Sequence, residues 1–168
     1  RSASVQRVCT DSRLAKPGDL FFAIRGDRFD GHDYLTDALG QGAEAAVVSR
    51  SRLGQAESAG PMIKVDETRC ALGQLAARYR QDFELPVVAI GGSNGKTSTK
   101  EILATVLRQR VETLSSKASF NNDVGVPLTL LRLREAHEVA VLEVGSNHPG
   151  ELQPLLQLIQ PRYGVLTS

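Results

Sequence analysis

The chain has 168 residues, 41% hydrophobic and 23% charged, a composition typical of a globular protein and unlike that of collagen, coiled coils or disordered segments. Twenty basic and nineteen acidic side chains leave a formal net charge of +1, so no general nucleic-acid-binding surface is indicated and any anion site is local. No apolar run approaches the roughly 18 residues of a membrane span, and no signal peptide is visible, although a leader could have preceded Arg1. Cys9 and Cys70 lie far apart in no metal-ligand spacing, which predicts two buried, reduced thiols in a cytoplasmic protein.

The first half of the chain, residues 1–84, is predicted to hold short strands and loops. A turn signal at 16–19 precedes a buried strand at 20–24, and a polar, glycine-flanked loop follows at 26–32. A short helix is predicted at 34–40, and a longer helix begins near Glu67. Further strands are predicted at 45–49 and 62–65, and the apolar face of the longer helix, at i, i+3, i+4 and i+7, consists of Leu72, Leu75, Ala76 and Tyr79.

The second half, residues 85–168, is predicted to alternate strand and helix after a linker at 82–86. The apolar runs 87–90 and 139–144 suit strands covered on both faces, and 163–167 predicts a further strand. This alternation predicts an α/β fold with a parallel sheet and right-handed crossovers, and a sheet that stops on a fresh strand is expected to be incomplete. Helices are predicted at 128–133, along Ile102, Leu103, Val106 and Leu107, and along Leu152, Leu155, Leu156 and Ile159, with Pro149 in the first turn of the last.

The strongest chemical signal is a glycine-rich run at 91–99, GGSNGKTST, between a buried strand and an amphipathic helix. Its glycines allow the backbone to turn N–H groups onto an anion, and the helix N-terminus adds its positive dipole end. Lys96 can reach the β- and γ-phosphates of a nucleotide, and the Thr97 hydroxyl can ligate Mg²⁺. The strict pattern G-x-x-x-x-G-K-[ST] fails at its first glycine, because Ile90 stands there.

Two further polar positions are candidates for the same site. Glu143 lies near the end of the strand at 139–144, where parallel sheets bind ligands, and a lone carboxylate there suits Mg²⁺; a structural ion pair is the alternative. The segment 121–127 turns abruptly from polar to apolar, and its spacing alone gives an ordinary asparagine-rich turn.

The three histidines are His32, His137 and His148. They show no metal-ligand spacing, and none is predicted to be a catalytic base.

Three motifs in order resemble the Mur ligases, the ATP-dependent amide-forming enzymes of peptidoglycan precursor synthesis. They are GGSNGKTSTKE at 91–101, FNNDVGVPLTLLRL at 120–133 and VLEVGSNHPGEL at 141–152. In the first half, TDSR at 10–13, PGDLFFAIRGDRFDGHDYL at 17–35 and VDETRCALGQLA at 65–76 most resemble the family member that adds D-alanyl-D-alanine to UDP-N-acetylmuramoyl-tripeptide. The resemblance covers nearly all of the chain.

This resemblance implies three domains. Residues 1–84 would form a small α/β domain that binds the UDP substrate, and 85–168 the first part of a central P-loop ATPase domain. The rest of that domain, with its carbamylated lysine and a histidine that assists Mg²⁺, and a third, Rossmann-like domain are expected beyond these residues, so we expect 1–168 alone to make no amide bond. The implied cofactors are ATP and Mg²⁺, the implied substrates are UDP-N-acetylmuramoyl-tripeptide and D-alanyl-D-alanine, and the implied protein is a cytoplasmic monomer that binds no nucleic acid.

The same resemblance implies site residues. Lys96 and Glu143 would be catalytic, and Thr97 and Glu143 would hold Mg²⁺. Gly91 stands where the family usually has threonine, which loosens the phosphate loop slightly but leaves its phosphate-binding groups intact. The implied ATP-binding residues are Gly92, Ser93, Asn94, Gly95, Lys96, Thr97 and Ser98. Asn121 and Asn122 would line the muramoyl and phosphate side of the cleft, and the implied UDP contacts are Thr10, Ser12, Asp27, Arg28 and Phe29.

Three other assignments stay open on the sequence. The ligase that adds the third peptide residue shares most motifs, although the segment RFDGHDY favours the dipeptide-adding member. Folylpolyglutamate synthase shares the phosphate loop but is not expected to carry TDSR and DGHD. A nucleotide-gated P-loop binding module or a small kinase is a different class, which a uridine-nucleotide binding assay would separate.

Overall fold

Both halves of the chain are built on parallel sheets. The computed structural model describes residues 4–52, 60–118, 120–145 and 150–168, in which the strands form two four-stranded parallel sheets. The predicted α/β class is therefore confirmed. Two residues named in the sequence predictions, His148 and Pro149, lie outside the described residues. The strands are β1 (Arg7–Cys9), β2 (Asp19–Phe22), β3 (Ala45–Ser49), β4 (Met62–Val65), β5 (Val87–Gly92), β6 (Thr113–Ser115), β7 (Val139–Glu143) and β8 (Tyr163–Thr167). The first sheet has the order β1-β2-β3-β4, and the second has the order β6-β7-β5-β8.

The described residues fall into two compact units, Arg1–Leu72 and Gly73–Ser168. The division lies within the helix Thr68–Arg80, and the boundary between residues 84 and 85 stays a prediction. Each unit has its own apolar core, as expected for parts that each bury one sheet. The helices are α1 (Leu35–Gly40), α2 (Thr68–Arg80), α3 (Lys96–Leu107), α4 (Gly125–Leu130) and α5 (Leu152–Ile159).

The first unit packs its sheet against α1. All four residues of β2 are buried, as expected for a central strand whose neighbours on both sides pair in parallel. Leu35 and Ala38, three residues apart on α1, face this core. The core residues are Ala15, Phe21, Ala23, Leu35, Ala38, Ala43, Ala46 and Val48.

The second unit covers its sheet on both faces, as predicted. Val88 and Ile90 of β5 form one core with side chains of α3, while Val87 and Ala89 face the opposite core. Because successive strand residues point to opposite faces, a strand buried on both sides needs a continuous apolar run. The parallel register pairs Ile90 with Glu143 of β7, which brings the carboxyl ends of the two central strands together.

The buried face of α3 differs from the predicted one. Ile102 and Val106 are 67% and 61% exposed. The buried face is shifted and consists of Lys100, Leu103, Ala104 and Leu107, which also follow the i, i+3, i+4, i+7 pattern. The apolar pattern failed here because a charged side chain occupies one of the core positions.

Other elements also departed from expectation. Strands β1 and β6 were not predicted, since each has only three residues. Helix α4 begins at Gly125 rather than at residue 128, because the side-chain oxygen of Asn122 accepts hydrogen bonds from the N–H groups of Val124 and Gly125, at 3.2 and 2.8 Å.

The predicted pair of buried thiols is wrong for one cysteine, because Cys70 is exposed while Cys9 is buried. Both thiols are free. Among the helices of the described residues, none is both long enough and apolar enough to cross a lipid bilayer.

Candidate nucleotide and substrate sites

The glycine-rich run forms the turn between β5 and α3. Strand β5 ends at Gly92, and α3 begins at Lys96 with Gly95 as its N-cap in the left-handed region, at φ +75°. Glycine has no side-chain oxygen to cap the helix, so the first-turn N–H groups face the loop, as in anion-binding helix termini. The loop therefore has the strand–turn–helix context that phosphate binding requires.

Strand β8 holds this loop from one side. The N–H of Ser93 donates to the carbonyl of Thr167 at 3.2 Å, and the Thr167 hydroxyl donates to the carbonyl of Gly91 at 3.2 Å. Gly92 lies between these contacts at φ +130°, where a Cβ atom would overlap the Thr167 carbonyl oxygen. Position 92 therefore requires glycine both for its backbone conformation and for the close approach of β8.

Lys96 folds back over the loop. Its ammonium donates to the carbonyls of Gly92 and Ser93, at 2.8 and 3.3 Å, while the side chain keeps access to solvent. The structure thus places a positive charge next to the N–H groups that a phosphate would meet. Asn94 and Ser98, the other predicted loop contacts, are exposed on the same turn and the first turn of α3.

Glu143, at the end of β7, is 2% exposed, and two neutral side chains of the described residues donate to its carboxylate. Its Oε2 accepts from the hydroxyl of Thr97 at 2.8 Å, and its Oε1 accepts from Nδ2 of Asn121 at 2.9 Å. Its backbone N–H donates to Oγ of Ser116 at 3.1 Å. A carboxylate that accepts from neutral side chains, and not from a basic one, can still pair with a cation.

Asn121 and Asn122 are placed differently. The backbone of Asn121 accepts from the N–H of Gly145 at 2.9 Å, and a Cβ on Gly145 would come within 2.9 Å of its Nδ2 atom. Gly145 therefore lets Asn121 approach Glu143. The side chain of Asn122 instead caps the start of α4, so the structure brings the first asparagine to the carboxylate and not the second.

The side-chain oxygen atoms of Thr97 and Glu143, beside the loop, suit a magnesium ion as ligands. The Thr97 hydroxyl and the Glu143 carboxylate are hard ligands, and their 2.8 Å separation allows both to face one ion. In the part of the chain that the structure describes, no three His, Cys, Asp or Glu side chains cluster as a complete metal cage. Mg²⁺ bound with a nucleotide needs no such cage, because it usually takes one or two protein ligands together with phosphates and water.

The first unit contains a cavity of about 400 Å³. Three predicted UDP contacts, Thr10, Ser12 and Phe29, line it. The other two, Asp27 and Arg28, are exposed at the tip of a turn that the N–H of Gly26 closes by donating to the Phe29 carbonyl at 2.8 Å, and they do not line the cavity. The remaining lining residues are Asp11, Arg13, Phe21, Ile24, Gly31, Tyr34, Asp37 and Gln41.

The cavity combines an apolar ring with polar groups. The Phe29 ring is left 71% exposed, although it lines the cavity. The guanidinium of Arg13 donates to the Asp11 carboxylate at 2.9 and 2.7 Å, which holds the pKa of Asp11 below its usual range. An exposed ring beside hydrogen-bonding groups is suited to a ligand with both a flat base and polar edges.

The sequence did not point to several residues that line the cavity or that support Glu143. Tyr34, Asp37 and Gln41 line the cavity from α1 and its two ends, and their spacing of three and four residues is a helical signal that could have been used. Ser116, which accepts from the N–H of Glu143, follows a strand too short to predict.

Two family models match the chain. One, described as the Mur ligase middle domain, matches residues 90–168, and the other, described as the Mur ligase family catalytic domain, matches residues 4–80. Together they cover both units and include the phosphate loop, Glu143 and the lined cavity. The chain belongs to the Mur ligase family.

Within the family, the chain is similar to one kind of ligase. The UDP-N-acetylmuramoyl-tripeptide–D-alanyl-D-alanine ligase of Haemophilus influenzae is 40% identical over 171 residues, which cover 99% of this chain and 37% of that protein. A crystal structure of MurF from Acinetobacter baumannii has a TM-score of 0.88 and 39% identity, covering 96% of this chain and 35% of its own. MurF ligase from Thermotoga maritima, in complex with ADP, has a TM-score of 0.81 and 31% identity, covering 96% and 37%. The chain spans little more than a third of the length of these relatives.

Proposed function

We propose that this chain carries the UDP-substrate site and part of the ATP site of a ligase that joins D-alanyl-D-alanine to UDP-N-acetylmuramoyl-tripeptide. The convergence of Thr97 and Asn121 on the buried Glu143, beside a phosphate loop, carries this proposal. The 40% identity to a curated ligase of that name, over 99% of the chain, supports the choice of substrate.

The second unit holds the nucleotide in this proposal. The N–H groups of the loop and Lys96 bind the phosphates of ATP, while Thr97 and Glu143 hold Mg²⁺. Bound Mg²⁺ would neutralise charge on the transferred phosphoryl group. Charge stabilisation and positioning are the main requirements of phosphoryl transfer, so this set of groups suits the first step. The phosphate-binding loop comprises Gly92, Ser93, Asn94, Gly95, Lys96, Thr97 and Ser98.

The first unit holds the UDP end of the tripeptide substrate. Thr10 and Ser12 offer hydroxyls to the uracil edge, and the Phe29 ring offers a face for stacking. Asp27 and Arg28 lie on the adjoining turn, where the arginine can reach a diphosphate that extends out of the cavity. The substrate is thus bound through its UDP group, which takes no part in the reaction.

The reaction has two balanced steps. A carboxylate oxygen of the UDP-linked tripeptide attacks the γ-phosphorus of ATP, the bond to the β-phosphate bridging oxygen breaks, and ADP leaves an acyl phosphate behind. The amine of D-alanyl-D-alanine then attacks the carbonyl carbon, loses a proton, and inorganic phosphate leaves as the amide forms. In this scheme, Asn121 contacts the phosphate side of the acyl donor, and Asn122 is the second candidate there.

The experiment uses the full-length protein that contains this chain. It is incubated with ATP, Mg²⁺, UDP-N-acetylmuramoyl-tripeptide and D-alanyl-D-alanine, and ADP and product mass are measured together. We expect one ADP per dipeptide added. A parallel reaction offers UDP-N-acetylmuramoyl-dipeptide with a single diamino acid. Product in that reaction alone would assign the protein to the ligase that adds the third residue, and ADP release without any amide would indicate a kinase or a nucleotide-gated module.

The proposal includes a cytoplasmic, monomeric enzyme. Its substrates are water-soluble nucleotides and a free dipeptide, so the reaction needs no lipid surface. Light scattering of the full-length protein, with and without nucleotide, measures the assembly state. A mass twice that of one full-length polypeptide would contradict the monomer.

A further inference from the structure

Lys100 is fully buried on α3, one turn after the phosphate loop. Its ammonium donates to the carbonyls of Ser116 and Ala118, at 2.9 and 3.0 Å, and meets the carboxylate of Glu101 at 2.9 Å. These three contacts use all three of its N–H donors. A lysine is rarely buried in this way, because its charged end normally extends into water.

The burial of Lys100 is the opposite of what side-chain hydrophobicity predicts for α3. The same helix leaves Ile102 and Val106 in solvent while it buries Lys100. An apolar residue at position 100 would fill this core position without desolvating a charge. The buried ammonium therefore calls for a role besides packing, and its hydrogen-bond partners show where that role lies.

The carbonyls that Lys100 binds belong to the segment that supports Glu143. Ser116 accepts the Glu143 N–H through its hydroxyl, and the same chain continues to Asn121, which donates to the carboxylate. Between them, Ala118 adopts a left-handed conformation at φ +43°, which a residue with a Cβ atom rarely takes. A hydrogen bond to the Ala118 carbonyl holds the segment at this strained point.

We propose that Lys100 is a positioning residue of the nucleotide site, which ties segment 116–118 to α3 so that Ser116 and Asn121 meet Glu143. Thr97 lies three residues earlier on the same helix, so α3 supplies both the hydroxyl that contacts Glu143 and the cation that fixes the opposite support. This inference rests on the proposed function, in which Glu143 and Thr97 hold Mg²⁺.

Glu101 completes the arrangement from the solvent side. Its carboxylate is half-exposed, and the hydrogen bond from Lys100 holds the pKa of the Glu101 carboxyl below its usual range. The ammonium thus stays paired at its outer side while its other two donors point to the backbone. Lys100 is therefore oriented as well as buried.

The test compares Lys100→Met with Lys100→Arg in the full-length protein. Methionine keeps the length of the side chain but removes the donors, whereas arginine retains donors for the two carbonyls. The control is Ile159→Val, a substitution at a fully buried core position away from the loop. ADP binding is titrated with Mg²⁺ for each variant, at a temperature where all are folded, and kcat and KM for the dipeptide are measured separately.

We expect Lys100→Met to raise the half-saturating Mg²⁺ concentration about tenfold, equivalent to about 1.4 kcal/mol, and to lower kcat without changing KM for the dipeptide. Lys100→Arg should recover most of the Mg²⁺ response, and Ile159→Val should match the wild type. An unchanged Mg²⁺ titration in Lys100→Met would overturn the inference, and so would equal losses in Lys100→Met and Ile159→Val, which would indicate a structural role.

Ser116→Ala provides a second route if Lys100→Met does not fold. It removes the acceptor of the Glu143 N–H and leaves the carbonyl bond to Lys100 in place. We expect the same rise in the Mg²⁺ requirement, and a normal titration would contradict the inference. Failure of the proposed function has a different signature, because the wild type itself would then bind ADP without Mg²⁺ dependence and form no amide.

Discussion

The hydroxyl of Thr97 donates to the carboxylate of Glu143 at 2.8 Å, although 46 positions separate the two residues in the chain. Parallel pairing explains the meeting, because β5 and β7 are neighbours and Ile90 is in register with Glu143. The loop that leaves β5 and the end of β7 therefore lie at one edge of the sheet, where open α/β sheets bind ligands. The topology of the sheet therefore places a carboxylate beside the phosphate loop.

Lys96→Ala is expected to lower ligation by about 10²–10³-fold, equivalent to about 3–4 kcal/mol of transition-state stabilisation, because a preorganised charge at the transferred phosphoryl group is lost. The side chain is accessible to solvent, so the unfolding midpoint should stay near that of the wild type. Product formation is measured by mass spectrometry. Arg110→Ala, at an exposed cation beyond the end of α3, is the control, and ligation by Lys96→Ala within about threefold of the wild type would contradict the role.

Glu143→Gln is expected to raise the Mg²⁺ concentration for half-maximal activity at least about tenfold, since the amide lacks the charge of the carboxylate. The fold should persist, because the amide can still accept from Asn121 while its NH₂ group donates to the Thr97 hydroxyl. Activity is titrated with Mg²⁺ at saturating ATP. An unchanged titration would return Glu143 to a structural role.

Phe29→Ala is expected to weaken binding of the UDP substrate by about 1–3 kcal/mol, the usual contribution of a base stacked on an aromatic ring. Stability should not change, because Phe29 is 71% exposed. Leu14→Ala, at another exposed apolar side chain that does not line the cavity, is the control. Calorimetric titration with UDP separates the two variants, and equal affinities would remove Phe29 from the site.

Arg28→Ala is expected to weaken binding of the UDP substrate and to leave ATP binding unchanged, since the arginine lies on the turn beside the cavity. Both ligands are titrated into the same preparation. The reverse pattern, with ATP weakened and the UDP substrate unaffected, would mean that the roles of the two units are exchanged.

Gly92→Ala and Gly91→Ala form a matched pair. The first should destabilise the protein by at least about 2–3 kcal/mol, because position 92 combines φ +130° with overlap against Thr167. The second should lie within about 1 kcal/mol of the wild type, since its Cβ would meet side-chain atoms of Leu166 and Val144 at an ordinary 3.7 Å. Urea unfolding measures both, and equal losses would show that β8 does not restrict the loop.

Asp30 should make the first unit sensitive to acid. Burial by itself raises the pKa of its carboxyl, but hydrogen bonds from the backbone and ring of His32 and from Arg52 outweigh that effect and lower the pKa from 3.8 to about 2. A carboxyl with a depressed pKa stabilises the folded state above its ordinary pKa, and this contribution disappears as the pH falls from about 4 to about 2. We expect it to be about 2 kcal/mol.

The corresponding measurement is urea unfolding between pH 5 and pH 2 in steps of about half a unit, for the wild type and Asp30→Asn. The stability difference between them should shrink as the pH falls. Asp33→Asn, at a neighbouring exposed carboxyl, should follow the wild type throughout. A constant difference between wild type and Asp30→Asn would show that the carboxylate charge contributes nothing.

Apolar runs bounded by turn residues were sufficient to predict several strands to the residue. Ala45–Ser49, Met62–Val65 and Tyr163–Thr167 all match the structure. The meeting of the phosphate loop with Glu143 also followed from sequence, because the carboxyl ends of parallel strands share one edge. These features depend on local pattern and on a general rule of sheet topology.

Lys100 and Ser116 could not be predicted in the same way. The burial of Lys100 depends on two carbonyls that lie 16 and 18 residues further along the chain, and no local pattern indicates it. Ser116 follows a three-residue strand, whose pairing with β7 is a tertiary property. Their partners are set by the folded chain and leave no local signature.

The bonds between β8 and the phosphate loop link their opening motions. Strand β8 cannot separate from β5 without releasing the Ser93 N–H from the Thr167 carbonyl, so β8 and the loop should exchange amide hydrogens as one cooperative unit. An anion that orders the loop would then slow exchange along β8 as well, and any partner that secures β8 would favour the anion equally, since such coupling is reciprocal. The amide of Ser93 is thus a single-site reporter of both events.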